Sequence, residues 1–180
     1  MKKICVFCGS SKGTLPKYTE NAYSLGQTLA KNNLGLVYGG ASIGVMGAVA
    51  DGCLAENGEV YGVIPSSILD LEVGHDGLTK LDIVDNMHER KAKMYDLSDA
   101  FFALPGGMGT LDELCEIVTW SQLKYHEKPC YVINEDGFFD HLMNHFRFIN
   151  KEGFLSDAHL DLVREFSTAQ EAIDDFLSKY

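Results

Sequence analysis

Basic side chains are scarce in this sequence: 15 Lys and Arg stand against 26 Asp and Glu over 180 residues, a formal charge of -11. A surface of that sign repels phosphate backbones and anionic lipid, so neither nucleic acid nor a membrane is expected as a partner. The one basic cluster, Arg90-Lys91-Ala92-Lys93, is too short for an electrostatic stripe but long enough to meet one small anion. No stretch approaches ~18 uninterrupted apolar residues, and the N-terminus enters a strand pattern without a cleavable apolar segment; the expected location is cytoplasmic. Prolines number only 4, and there is no repeat, low-complexity tract or interdomain linker. With 46% hydrophobic and 23% charged residues this excludes a disordered or fibrous chain, and one domain over 1–180 is expected. The five cysteines lack a pairing pattern. Cys5, Cys8, Cys53, Cys115 and Cys130 lie mostly in apolar segments, and Cys5-Val6-Phe7-Cys8 sits inside a predicted strand with no second pair, so reduced structural thiols and no metal are expected.

What is present is an alternation. Strands are predicted at 3–8, 34–38, 59–64, 80–84, 100–104 and 129–133, and helices at 18–32, 44–57, 87–98, 110–123, 138–150 and 169–179. Strands apolar throughout, such as Phe101-Phe102-Ala103-Leu104, suit a sheet covered on both faces. The fold class expected is α/β, a doubly wound parallel sheet. The stretch 66–79 is the longest without periodicity, and a loop of that length usually has a function.

Three turns at the carboxyl ends of predicted strands are rich in small residues: Gly9-Ser10-Ser11, the run from Gly39-Gly40 to Met46-Gly47, and Pro105-Gly106-Gly107-Met108-Gly109-Thr110. Ligands of open α/β sheets bind at that end, so the turns can converge on one crevice, making Gly9, Ser10 and Gly40 candidate contacts. The third turn is the strongest signal, because bare glycine backbone lets N–H groups approach an anion at the positive end of the helix expected from Thr110. Thr110-Leu111-Asp112-Glu113 also matches a Thr-x-x-Glu capping box, which would make Glu113 a helix cap. The second turn follows the wrong strand for a dinucleotide fingerprint and lacks the ribose-binding acid; its glycines equally suit close helix packing.

After the N-cap candidate Asn86, the first turn of the next helix carries His88, Glu89, Arg90 and Lys91. Cations there oppose the helix dipole unless an anion compensates, which hints at a ligand; a solvated Glu89/Lys93 pair is the bland alternative. Glu113, Glu116 and Thr119 recur every three residues and share a helix face. The histidines show no metal-ligand spacing.

Pro105-Gly106-Gly107-Met108-Gly109-Thr110-Leu111-Asp112-Glu113 resembles the P-G-G-x-G-T-x-x-E motif of the Lonely Guy (LOG) family, and Met87-His88-Glu89-Arg90-Lys91 resembles its second motif. Val6 to Ser11, Leu36 to Gly47 and Gly62-Val63-Ile64-Pro65 match in the same order, so the resemblance covers roughly 3–150. It implies a Rossmann-like fold, a homodimer, no cofactor, and hydrolysis of the N-glycosidic bond of N6-modified adenosine 5′-monophosphates to free base and ribose 5-phosphate. By motif, Gly106, Gly107, Gly109 and Thr110 would bind the phosphate, Arg90 and Glu113 would be catalytic, and Lys91, Glu72 and Thr119 would line the nucleotide site. The apolar faces of the Met87 and Thr110 helices would form the dimer contact. Two other readings stand beside this one: a nucleotide- or cofactor-binding carrier without chemistry, and a pyridoxal-phosphate lysine decarboxylase, for which Lys91 is the only lysine near the expected site.

Overall fold

The computed structural model describes residues 1–69 and 74–180. Seven parallel strands form one sheet in the order β4-β3-β2-β1-β5-β6-β7. They are β1 (Lys3–Phe7), β2 (Gly35–Tyr38), β3 (Val60–Pro65), β4 (Lys80–Val84), β5 (Ala100–Ala103), β6 (Cys130–Ile133) and β7 (Val163–Phe166). The helices include α1 (Lys17–Lys31), α2 (Gly44–Ala55), α3 (Met87–Leu97), α4 (Met108–Gln122), α5 (Asp140–Lys151), α6 (Asp157–Leu160) and α7 (Ala169–Lys179). None is long and apolar enough to cross a membrane.

Successive side chains of a strand point to opposite faces, which splits the core in two. Ile4 and Val6 pack with α1, α2 and α7, whereas Cys5 and Phe7 pack with Met94 and Tyr95 of α3 and Ile117 of α4. The α/β sheet with both faces covered is therefore as expected. Chain order runs outward from β1 through β2 and β3 to β4, then returns to β5 on the other side of β1. Loops leaving β1 and β5 diverge to opposite faces, so a crevice opens between them at the carboxyl end of the sheet.

Six strands were expected; the seventh, β7, reads Val-Arg-Glu-Phe and carries no apolar run. Its charges are used: Arg164 Nη1 donates to Asp175 at 3.0 Å, and Glu165 accepts from Arg147 at 2.7 Å. Polar cover of this kind is how an edge strand avoids further pairing, and it hides the strand from a hydrophobicity pattern. The short α6 before it was likewise not anticipated.

On the first face, α1 and α2 approach closely because Gly26 has no side chain. A Cβ there would overlap the Val49 carbonyl oxygen and stand 2.6 Å from Cys53 N, both backbone atoms of α2. Gly26→Ala is expected to force the helices apart and cost about 2–3 kcal/mol, lowering Tm by roughly 5–10 °C in a chain of this size. A thermal melt reads this directly, and an unchanged Tm would show that the helices separate without penalty.

Candidate active site

The three glycine turns meet at the crevice between β1 and β5. Gly9 N donates to the Pro105 carbonyl at 3.2 Å, and the Gly9 carbonyl accepts from Val45 N and Met46 N at 3.0 and 3.1 Å. The loops after β1, β2 and β5 are thus stitched together under a pocket of about 520 Å³, a volume that suits a small metabolite. Of the candidate site residues, Gly9, Ser10, Arg90, Gly106, Gly107, Gly109, Thr110 and Glu113 line it. Gly40, Lys91 and Thr119 do not, and Glu72 lies outside the described residues.

At the wall formed by 105–110, α4 begins at Met108, two residues before the expected start, with Gly107 as N-cap and no side-chain cap. Thr110 is already inside the first turn, so Thr110 and Glu113 do not form a capping box. That device occurs instead at Thr168/Glu171, where α7 starts. The first-turn N–H groups of α4, which no helix carbonyl can accept from, remain at the positive end of its dipole beside the pocket. Positions 107 and 109 have nothing within 4 Å of where a Cβ would stand, so packing does not demand glycine there; bare backbone keeps the wall open. At Gly106 a Cβ would overlap Thr110 Oγ1 and stand 2.8 Å from Gly9 N. Thr110 is only 3% exposed, and its hydroxyl has no hydrogen-bond partner among the described residues. An unmet buried hydroxyl costs about 1–3 kcal/mol, which an oxyanion in the cradle would relieve.

Arg90 enters from α3, whose start is capped by Asn86 Oδ1 accepting from Glu89 N at 3.0 Å. Arg90 is 4% exposed. Its Nε donates to the Val63 carbonyl at 3.1 Å and its Nη2 to the Gly39 carbonyl at 2.8 Å. A carbonyl just past the end of β2 and one within β3 therefore offset the unfavourable helix dipole and fix the planar group. Gly39 matters here rather than Gly40, because a Cβ on Gly39 would overlap Arg90 Nη2 and lie 2.9 Å from Met46 Sδ. Gly40 sits behind, its carbonyl accepting from His75 N at 3.0 Å. Gly44 and Gly47 answer to close packing, since a Cβ on either would overlap backbone of Ser10 or Ser42.

Glu113 lies one turn along α4 and is 9% exposed. Burial first, then the Glu113 charge, pushes the Cys5 thiol well above its usual range, which keeps it an unreactive thiol as expected. Thr119 is exposed, its hydroxyl donating to the Cys115 carbonyl at 2.7 Å. It lies on the outer side of α4, because each three-residue step drifts about 60°, and two steps carry Thr119 about 120° from the Glu113 face. The Glu89/Lys93 pair of the bland alternative is absent among the described ion pairs: Lys93 Nζ meets Asp82 at 3.0 Å, and Glu89 accepts from Asn86 Nδ2 at 2.9 Å.

Lys91 Nζ lies 2.8 Å from Glu116 and 3.1 Å from Asp112. Burial pulls its pKa down, but the two carboxylates win and hold the ammonium above the usual lysine range. A Schiff-base lysine must lose its proton to attack, so Lys91 does not fit pyridoxal phosphate. The lysine on the pocket wall is Lys12, next to the first glycine turn; it is exposed and lacks the apolar surroundings that activate such an amine. Met46 and Met87 of the motif segments also line the pocket, and so do Lys12, Tyr18 and Phe138, which the sequence did not signal because they come from separate segments. Among the described residues no group of three or more His, Cys, Asp or Glu is placed to hold a metal ion.

A family model described as "Possible lysine decarboxylase" matches residues 46–176. A protein of Rhodococcoides fascians named cytokinin riboside 5′-monophosphate phosphoribohydrolase is 44% identical over 158 residues, covering 87% of this chain and 80% of that protein. One of Oryza sativa subsp. japonica with the same name and the suffix LOG is 40% identical over 182 residues, covering 99% of this chain and 75% of its own length. Among solved structures, the molybdenum cofactor binding protein of Rippkaea orientalis superposes with a TM-score of 0.75 at 25% identity, covering 99% of this chain and 97% of that one. With its glycine cradle, buried Arg90 and Glu113, and these relatives along almost its whole length, the chain belongs to the Lonely Guy family, that of the cytokinin riboside 5′-monophosphate phosphoribohydrolases.

Proposed function

We propose that this protein hydrolyses the N-glycosidic bond of adenosine 5′-monophosphates, cytokinin nucleotides among them, releasing free base and ribose 5-phosphate. The observation that carries the reading is one pocket in which an anion cradle with an unmet Thr110 hydroxyl adjoins a buried arginine and a buried glutamate. The 5′-phosphate occupies the first turn of α4, bound by backbone N–H groups and Thr110 Oγ1. As the bond from C1′ to the base nitrogen breaks, positive charge develops on the sugar, and the Glu113 carboxylate stabilises it and orients the water that adds to C1′. The electron pair leaves with the base, which takes up one proton in all. Arg90 stays protonated and stabilises the charge growing on the departing base.

Incubating the protein with AMP and with N6-isopentenyl-AMP, then separating products by chromatography, tests this: free base and ribose 5-phosphate should appear in equal amounts. Tight nucleotide binding without base release would instead make the protein a carrier. A homodimer belongs to the same reading, supported by an exposed stripe at Cys115 and Thr119 of α4 and Leu123 at its C-cap, four residues apart. Light scattering on the eluting protein should give twice the chain mass of 19.9 kDa, and the mass of a single chain would refute the dimer. A cytoplasmic location accords with the reduced thiols and is proposed with it.

A further inference from the structure

The residues next to the two proposed catalytic groups are themselves joined. Lys91, beside Arg90 on α3, reaches across to Asp112 and Glu116, which flank Glu113 on α4, at 3.1 and 2.8 Å. From the next turn of α3, Tyr95 Oη donates to the same Glu116 carboxylate at 2.9 Å. Lys91 and Tyr95 are buried, 8% and 3% exposed. Four side chains thus cross-link two helices that also pack through apolar contacts in the second core cluster.

We infer that Lys91, Glu116 and Tyr95 form a positioning clamp that sets the spacing of α3 against α4, and so holds Arg90 and Glu113 at the distance the reaction needs. This assigns Lys91 a different part from the nucleotide contact implied by its motif. Its ammonium meets two carboxylates of its own chain, and Lys91 itself is not among the residues that line the pocket, although its partner Asp112 is. The clamp rests on the reading under Proposed function, because it acts through Arg90 and Glu113. A shift of about 1 Å between catalytic groups can cost 10²-fold in rate while the phosphate cradle, built wholly on α4 and the preceding loop, is untouched. The clamp therefore works on kcat and leaves substrate binding alone.

The test compares Lys91→Met, Glu116→Gln, the Lys91→Met/Glu116→Gln double variant and Tyr95→Phe with wild-type protein, using AMP turnover and AMP affinity by calorimetry. Each of the first two should lower kcat about 10- to 100-fold with KM and Kd within about twofold, and the double variant should be no worse than the poorer single one, as for partners in one interaction. Lys91→Arg, which keeps the charge and can still reach both carboxylates, should recover most of kcat; Tyr95→Phe, which removes one hydrogen bond, should cost least. A Lys91→Met protein with raised KM and Kd at unchanged kcat overturns the clamp and makes Lys91 a phosphate ligand. Additive losses in the double variant also overturn it. Wild-type protein that binds AMP but releases no base overturns the functional reading instead, and that outcome is seen before any variant is made.

Discussion

Glu113→Gln is expected to lower kcat for base release from AMP by about 10³-fold, with affinity for AMP changed no more than a few-fold. The substitution keeps the shape of the side chain and removes only its charge. Charge is what the transition state needs: a carboxylate beside a developing oxocarbenium ion stabilises it in a buried site, and serves the attacking water as a proton acceptor. Losing both roles corresponds to about 4 kcal/mol of barrier. Glu113 is 9% exposed, so replacing its buried charge with a neutral amide changes both its desolvation cost and its interactions, and stability is read alongside activity. Single-turnover assays with a thermal melt on the same preparation separate the two effects. A variant turning over within about fivefold of wild type would remove Glu113 from the chemistry.

Gly106→Ala should abolish nucleotide binding, raising Kd for AMP by about a hundredfold or more. The new methyl group would overlap Thr110 Oγ1 and stand 2.8 Å from Gly9 N, so either Thr110 leaves its rotamer or the loop after β5 leaves the loop after β1. Each response spoils the cradle, and losing two hydrogen bonds to a charged phosphate is worth about 3–4 kcal/mol. Gly109→Ala is the informative partner. It meets nothing within 4 Å and lies in the first turn of α4, where alanine suits a helix better than glycine, so Tm should hold or rise. Affinity should still fall about tenfold, because the only thing a methyl group could displace there is the ligand. Calorimetry with AMP against Tm for both variants checks the pair. Gly109→Ala protein with wild-type affinity would show that the phosphate sits elsewhere.

The strands and helices were largely legible because parallel strands buried on both faces must be apolar end to end, as in 100–104, and their helices repeat at 3.6 residues. The failures have the same origin. β7 draws its stability from partners distant in sequence, Asp175 and Arg147, and so shows no local pattern. Thr110 and Glu113 match a capping box in spacing, yet α4 starts at Met108. A helix start depends on where the preceding loop can turn, which here is set by Gly9 bonding Pro105.

By itself the sequence determined the α/β class, the anion cradle and the pairing of Arg90 with Glu113 as candidates, since backbone exposure at glycine, helix periodicity and motif order are local properties of the chain. The tertiary structure alone decided which neighbours those residues have. Arg90 bonds the carbonyls of Gly39 and Val63, and Lys91 meets Asp112 and Glu116. Each of these depends on the order of strands in the sheet, because that order places β2 and β3 behind α3 and brings α3 alongside α4. A buried charge is governed by the partners within a few ångströms, and contacts of that kind join segments up to 51 residues apart in the chain.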